Sequence, residues 1–427
     1  MPTFRQPGTV LTDHVFGVPL DHAAPDGERI TVFAREVVAA DKAGTDLPWL
    51  LYLQGGPGRP SPRPNGRESW LDRALRDYRV LLLDQRGTGR SSPANRLTLP
   101  RRGSAPDQAS YLTHFRADSI VADAELIRRA LTGGRPWSVL GQSFGGFCTV
   151  SYLSQAPEGL SEVFITGGLP GLDRAADEVY LATYPVVAAK NQAHYARYPQ
   201  DVDLARAVAS YLASHDVALP SGARLTVQAF QSLGIRLGMS TGSHELHYLL
   251  EDAFEGSDIG DDFRYRAESI LTYAGGPLYA ALHEACYAQE SATRWSAHRV
   301  REQFPGFDAT AALGCTDPVL FTGEMVYPWM FETDPLLRPL ADVAGILAEY
   351  DQWPRLYDLA RLKRNEVPVA AVVYYDDMYV PQQFSVEGAG QIGSTRLWVT
   401  NEYEHDGLRV SNGKVLDRLI GMVRGTA

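Results

Sequence analysis

The first 170 residues alternate short apolar runs with stretches of helical spacing. Residues 30–38 (ITVFAREVV) read as a strand. Residues 49–53 (WLLYL) and 78–84 (YRVLLLD) are apolar runs that end in polar, glycine-containing loops. Residues 117–131 place Ile120, Val121, Ala124, Ile127 and Leu131 at helical spacing. Trp137–Leu140 predicts a strand that leads into GQSFGG, and a helix-like stretch closed by Pro157 follows. Residues 163–166 (VFIT) are a further strand candidate. Short apolar strands between helices predict a mostly parallel sheet covered on both faces.

The pattern changes near residue 170. From 171 to 345 the chain is rich in alanine, leucine, tyrosine and charge, without βα alternation. Strand signals return at 367–375 (VPVAAVVYY) and 395–399 (TRLWV), and 413–424 (GKVLDRLIGMVR) reads as an amphipathic closing helix. A sheet that pauses and resumes predicts one α/β core, residues 1–170 and 346–427, with a largely helical cap inserted at 171–345.

Composition narrows the function classes. The chain has 427 residues, 44% hydrophobic and 21% charged, the balance of a globular protein. Its net charge of −11 argues against nucleic acid as the main partner, since phosphate binding needs a clustered basic surface. Cys148, Cys286 and Cys315 show neither metal-ligand spacing nor a disulfide framework. The N-terminus lacks a basic start followed by an apolar run, and no run approaches the roughly 18 apolar residues of a membrane span. A cytoplasmic protein without a membrane, metal or cofactor partner is expected.

The chemistry concentrates in four motifs. Gly141-Gln142-Ser143-Phe144-Gly145 stands between a strand signal and a helix signal. Glycines two residues either side of a serine permit the tight strand–turn–helix that lifts a nucleophilic hydroxyl clear of the backbone. A serine hydroxyl needs a general base, and the base needs an orienting acid. On the fold this turn implies, they follow in the order acid, then histidine. Asp376 and Asp377 come directly after VPVAAVVYY, and His405 lies in the loop after TRLWVT. The residues themselves leave the two aspartates open. The backbone N–H of Phe144 is one oxyanion donor. The second comes from Gln54-Gly55-Gly56-Pro57-Gly58, whose glycines allow close backbone approach, so Gly55 and Gly56 are the candidates. Asp84-Gln85-Arg86-Gly87-Thr88-Gly89-Arg90-Ser91 lacks Walker spacing and is expected to brace the site, with Asp84, Arg86 and Arg90 pairing within it.

Together these motifs give the chain an α/β-hydrolase fold. GGPG at 55–58, DQRGTGRS at 84–91, GQSFGG at 141–146, an Asp before Met-Tyr-Val-Pro, and the late His405 resemble the proline iminopeptidases, serine peptidases of that fold. The cap resembles the larger caps of one subgroup through LYAALHEACY and FTGEMVYPWMFE. The resemblance implies removal of an N-terminal residue, preferably proline, from small peptides by a Ser143–Asp377–His405 triad, with no cofactor. It favours Asp377 because the acid of relatives commonly stands four residues before a proline, as Asp377 does before Pro381. It also places amine-binding glutamates in the cap, where Glu284 and Glu324 are the candidates and Glu251 and Glu255 the reserves. The chain departs from the family at Gln54, where most relatives carry His, and at Phe144, where many carry Trp. The same triad would serve an esterase or amidase of small acyl compounds; a non-catalytic binding module would usually have lost a triad member.

Overall fold

A computed structural model describes residues 2–426. Its centre is a nine-stranded sheet in the order β1-β2-β3-β5-β4-β6-β7-β10-β11. The first strands are β1 (Thr3–Gln6), β2 (Thr9–Pro19) and β3 (Arg29–Ala39). They are followed by β4 (Trp49–Leu53), β5 (Arg79–Asp84), β6 (Trp137–Gln142) and β7 (Leu160–Thr166). A separate small hairpin joins β8 (Phe254–Glu255) to β9 (Asp258–Ile259). The sheet is completed by β10 (Val369–Tyr374) and β11 (Thr395–Thr400). The pairings from β5 to β11 are parallel, whereas β1, β2 and β3 add an antiparallel edge.

Alternation along the strands divides the core in two, as the period of two in a pleated strand requires. In β4, Trp49, Leu51 and Leu53 face one side; Leu50 and Tyr52 face the other. In β10, Val369, Ala371 and Val373 oppose Ala370, Val372 and Tyr374 in the same way. The second face is closed by helices Ser69–Ala74 and Lys414–Arg424, the latter through Val415, Leu416, Leu419 and Ile420. The first is closed by helices Ala105–Leu112, Ala117–Thr132 and Phe144–Gln155.

Between β7 and β10 no segment joins the nine-stranded sheet. Long helices Ala176–Arg197, Asp201–Ser214 and Asp261–Leu271 alternate there with short turns of helix. Their apolar residues merge with those of the sheet's first face into one continuous cluster, so this region is packed onto the core. The antiparallel edge, β1 and β2, is the main addition to the sequence reading. Val10, Leu11 and Val18 supply β signals, but Asp13, His14 and Gly17 interrupt them. The structure explains the interruption: Asp13 pairs with Arg35 and Arg90, and His14 with Glu36.

Candidate active site

The turn after β6 holds Ser143 at φ 55°, ψ −126°, a left-handed backbone that a non-glycine residue keeps only when its surroundings force it. Two hydrogen bonds do so: Ser143 N donates to Thr166 O at 3.0 Å, and Ser143 O accepts from Gly146 N at 2.7 Å. The flanking glycines are required by close packing. A methyl group at Gly145 would strike the Leu53 carbonyl, and one at Gly146 the Gly168 carbonyl. The elbow is therefore wedged between the ends of β4 and β7, with Phe144 opening the following helix.

The candidate acid–base pair comes from the ends of β10 and β11. His405 Nδ1 lies 2.7 Å from Asp377 Oδ2. Asp377 Oδ1 accepts N–H bonds from Tyr379 at 2.9 Å and Val380 at 3.1 Å, which fixes the carboxylate. Asp377 is buried, whereas its neighbour Asp376 is exposed and makes no ion pair among the described residues. His405 is held by its backbone N–H on Gly238 O at 3.2 Å and by the edge of the Tyr379 ring. Burial works against its charged form, but the Asp377 charge and hydrogen bond outweigh it and hold the imidazole pKa above its usual value. The turn Gly167–Gly168 joins the two halves of the site: a methyl at Gly167 would sit 3.2 Å from His405 Nδ1, and one at Gly168 3.0 Å from Ser143 N.

Gly55 lies against the serine. A methyl there would come within 2.8 Å of Ser143 Cβ and 3.0 Å of Gln142 Oε1. The preceding carbonyl, Gln54 O, is tied to Gln85 Nε2 at 3.0 Å, and the Gln54 side chain accepts from Tyr52 OH at 2.7 Å. The position where most relatives carry His is thus filled by a glutamine engaged with its own strand. Ser143, Gly56 and Phe144 share a narrow pocket with Phe147, His283 and Glu324. Cys286, Tyr287 and Val380 complete its wall.

Of the two cap glutamates, only Glu324 reaches this pocket. Its Oε1 accepts from Tyr279 OH at 2.6 Å. Glu284 does not line it: its two carboxylate oxygens accept Ser296 N and Ala297 N, both at 2.9 Å, at the start of helix Ser296–Arg301. Burial raises its pKa against those bonds. The expectation for Glu284 is therefore corrected: it is a buried helix cap. The reserves Glu251 and Glu255 are exposed on the surface. Sequence reasoning passed over His283, which does face the pocket. The signal was the spacing: His283, Cys286 and Tyr287 stand at i, i+3 and i+4, one face of a helical turn, with Glu284 off that face.

The DQRGTGRS loop braces the site, but not by ion pairs between its own side chains. Asp84 takes Arg63 and the backbone N–H groups of Ser61 and Arg90, whereas Arg86 takes Asp123 and Arg90 takes Asp13. The expected pairing of Asp84 with Arg86 and Arg90 side chains fails because the loop's arginines turn outward to neighbouring segments. Among the described residues, no cluster of three or more His, Cys, Asp and Glu is placed to hold a metal ion, and no helix is long and apolar enough to cross a membrane.

This geometry has counterparts among known proteins. The family model described as alpha/beta hydrolase fold matches residues 48–408. The chain is 50% identical to a proline iminopeptidase of Aeromonas sobria over 412 residues, 96% of each chain. The chain belongs to the proline iminopeptidase family. It is also 36% identical to proline iminopeptidase aneH of Aspergillus aculeatus, covering 95% of this chain and 92% of that one. A probable proline iminopeptidase of Streptomyces coelicolor is 31% identical over 53% of this chain and 71% of its own length. The family is one of serine hydrolases on the α/β-hydrolase fold, and this chain is an enzyme of that class.

Proposed function

We propose that the chain is a prolyl aminopeptidase that releases an N-terminal proline from small peptides through an acyl-enzyme on Ser143. The observation that carries this reading is the Glu324 carboxylate in the same pocket as Ser143. An aminopeptidase must recognise a protonated amine, and a carboxylate among aromatic side chains is the natural partner for that charge.

His405 takes the Ser143 proton as Oγ bonds to the scissile carbonyl carbon. Phe144 N–H and the backbone N–H groups of Gly55 and Gly56 face the oxyanion. The imidazolium formed is stabilised by Asp377, and it gives its proton to the departing amine as the C–N bond breaks. A water molecule, deprotonated by His405, attacks the ester carbonyl, and proline leaves as Ser143 regains its proton. Residues 171–345 serve as the cap that closes the amine side of the pocket.

A panel of aminoacyl arylamides, each with a free and a blocked amine, tests the reading. Cleavage of the free prolyl arylamide well above its N-acylated twin is expected. Equal cleavage of both, or activity confined to short-chain esters, would overturn it.

A further inference from the structure

One buried side chain of the pocket has no partner. His283 is 2% exposed, and neither ring nitrogen makes a hydrogen bond of ordinary geometry among the described residues, although the Glu324 backbone lies close enough to favour its proton. The ring is held in place: it stacks on Tyr279 at 5.0 Å between centroids and meets the edge of Tyr287 at 5.9 Å. It lines the same pocket as Ser143 and Glu324. A buried polar group without a partner is costly, so an orphan imidazole that faces a substrate pocket points to a ligand group that completes it.

A neutral imidazole offers one N–H and one lone pair. Burial pushes the His283 pKa down, against the Glu324 carboxylate and backbone, which favour the proton. The other ionisable groups around it, Tyr279, Tyr287 and Cys286, are all pushed up by burial and stay neutral.

We infer that His283 is the second acceptor for the substrate's protonated secondary amine, acting beside Glu324. This rests on the aminopeptidase reading above. The ring nitrogen of an N-terminal proline carries two N–H groups. The Glu324 carboxylate, with Oε1 already engaged by Tyr279, accepts one, and the His283 lone pair accepts the other. Two acceptors match two donors. A primary ammonium brings a third N–H, for which the pocket offers no further carboxylate or imidazole beside Phe144, Phe147, Cys286, Tyr287 and Val380. An unpaired donor there is penalised, so the His283–Glu324 pair selects an imino over an amino terminus. A protonated His283 would have no lone pair to offer and would repel the cationic substrate.

The test compares wild type, His283→Phe and His283→Gln. The substrates are a prolyl arylamide, an alanyl arylamide and an aryl ester of cyclopentanecarboxylic acid, which keeps the ring and lacks the amine. For His283→Phe, the ratio of kcat/KM on the prolyl arylamide to that on the ester should fall roughly 10- to 100-fold, the worth of a hydrogen bond to a charged group. The prolyl-to-alanyl ratio should fall as well, and His283→Gln, which keeps an acceptor, should recover part of both. Unchanged ratios with equal losses on all three substrates would make His283 structural. A wild-type measurement stands apart from the variants' folding. Pyrrolidine should inhibit ester hydrolysis about tenfold more tightly than N-methylpyrrolidine, which keeps the charge but has one N–H; equal inhibition would overturn the two-acceptor site. If the wild type cleaves the ester and no free-amine arylamide, the aminopeptidase reading falls and this proposal with it. If it cleaves the prolyl arylamide and the ratios do not move, this proposal alone falls.

Discussion

At the scale of single residues, burial separates two adjacent carboxylates. Asp377 is shut in, held by two backbone N–H groups and 2.7 Å from His405, whereas Asp376 points to solvent. An acid that orients the base is worth roughly 10⁴-fold in kcat, so Asp377→Asn should fall by about that much. Asp376→Asn should stay within about threefold, as a surface change does. Steady-state kinetics on a prolyl arylamide ranks the two, and a reversed order would move the acid to Asp376. The same contact sets a pH dependence. His405 acts as a base only when neutral, and Asp377 raises its pKa, so kcat/KM should drop on the acid side through a value above the ordinary 6.5 or so. Asp377→Asn should shift that limb to lower pH; a limb that stays in place would uncouple the pair. The placement of Ser143 at a turn after β6, of His405 after β11 and of Gly55 beside the serine was legible in the sequence because each is tied to a motif or to the end of a strand. The Asp376/Asp377 choice was legible only through resemblance, because two consecutive loop residues point opposite ways and no periodicity says which.

At the scale of elements, the site depends on loops locked by charge. Arg86 has no exposed side-chain surface and pairs with Asp123 at 2.6 Å, while also donating to the carbonyls of Pro19, Leu20 and His114. It ties the end of β2 and helix Ala117–Thr132 to the loop whose Gln85 fixes Gln54. Arg86→Leu leaves Asp123 buried without its main counter-charge, which should lower stability by about 3–5 kcal/mol. Urea unfolding measures this, and a loss below about 1 kcal/mol would mean the pair contributes little. The sequence carried the core elements well: β4 stands at 49–53 as expected, and the helix at 117–131 gains one residue. It misjudged the bracing loop because ion-pair partners far apart in the chain, such as Arg86 and Asp123, leave no local trace. The resemblance pointed to Glu284 as a cap glutamate, where the helical phase of LHEACY turns His283 to the pocket instead.

At the scale of the whole molecule, the cap and the sheet share one apolar cluster that runs from Leu51 and Val139 to Phe230 and Leu340. A region packed this way should not melt by itself. Far-UV circular dichroism and tryptophan fluorescence should therefore report one coincident unfolding transition. The seven tryptophans sample both regions, Trp49 and Trp137 in the sheet and Trp295 and Trp329 in the cap. Two separated transitions would show that the cap folds as an independent unit. The absence of sheet strands between β7 and β10 was legible from the pause in strand signals; the packing of that stretch onto the core was not, because helical composition does not say what a helix packs on.

Turnover of a prolyl arylamide by the purified Ser143→Ala variant tests most directly whether Ser143 is the nucleophile. A folded variant with kcat reduced by about 10⁴-fold or more is predicted. A folded variant that keeps more than about a few per cent of wild-type turnover would contradict it, since a lost nucleophile leaves no such residue of activity.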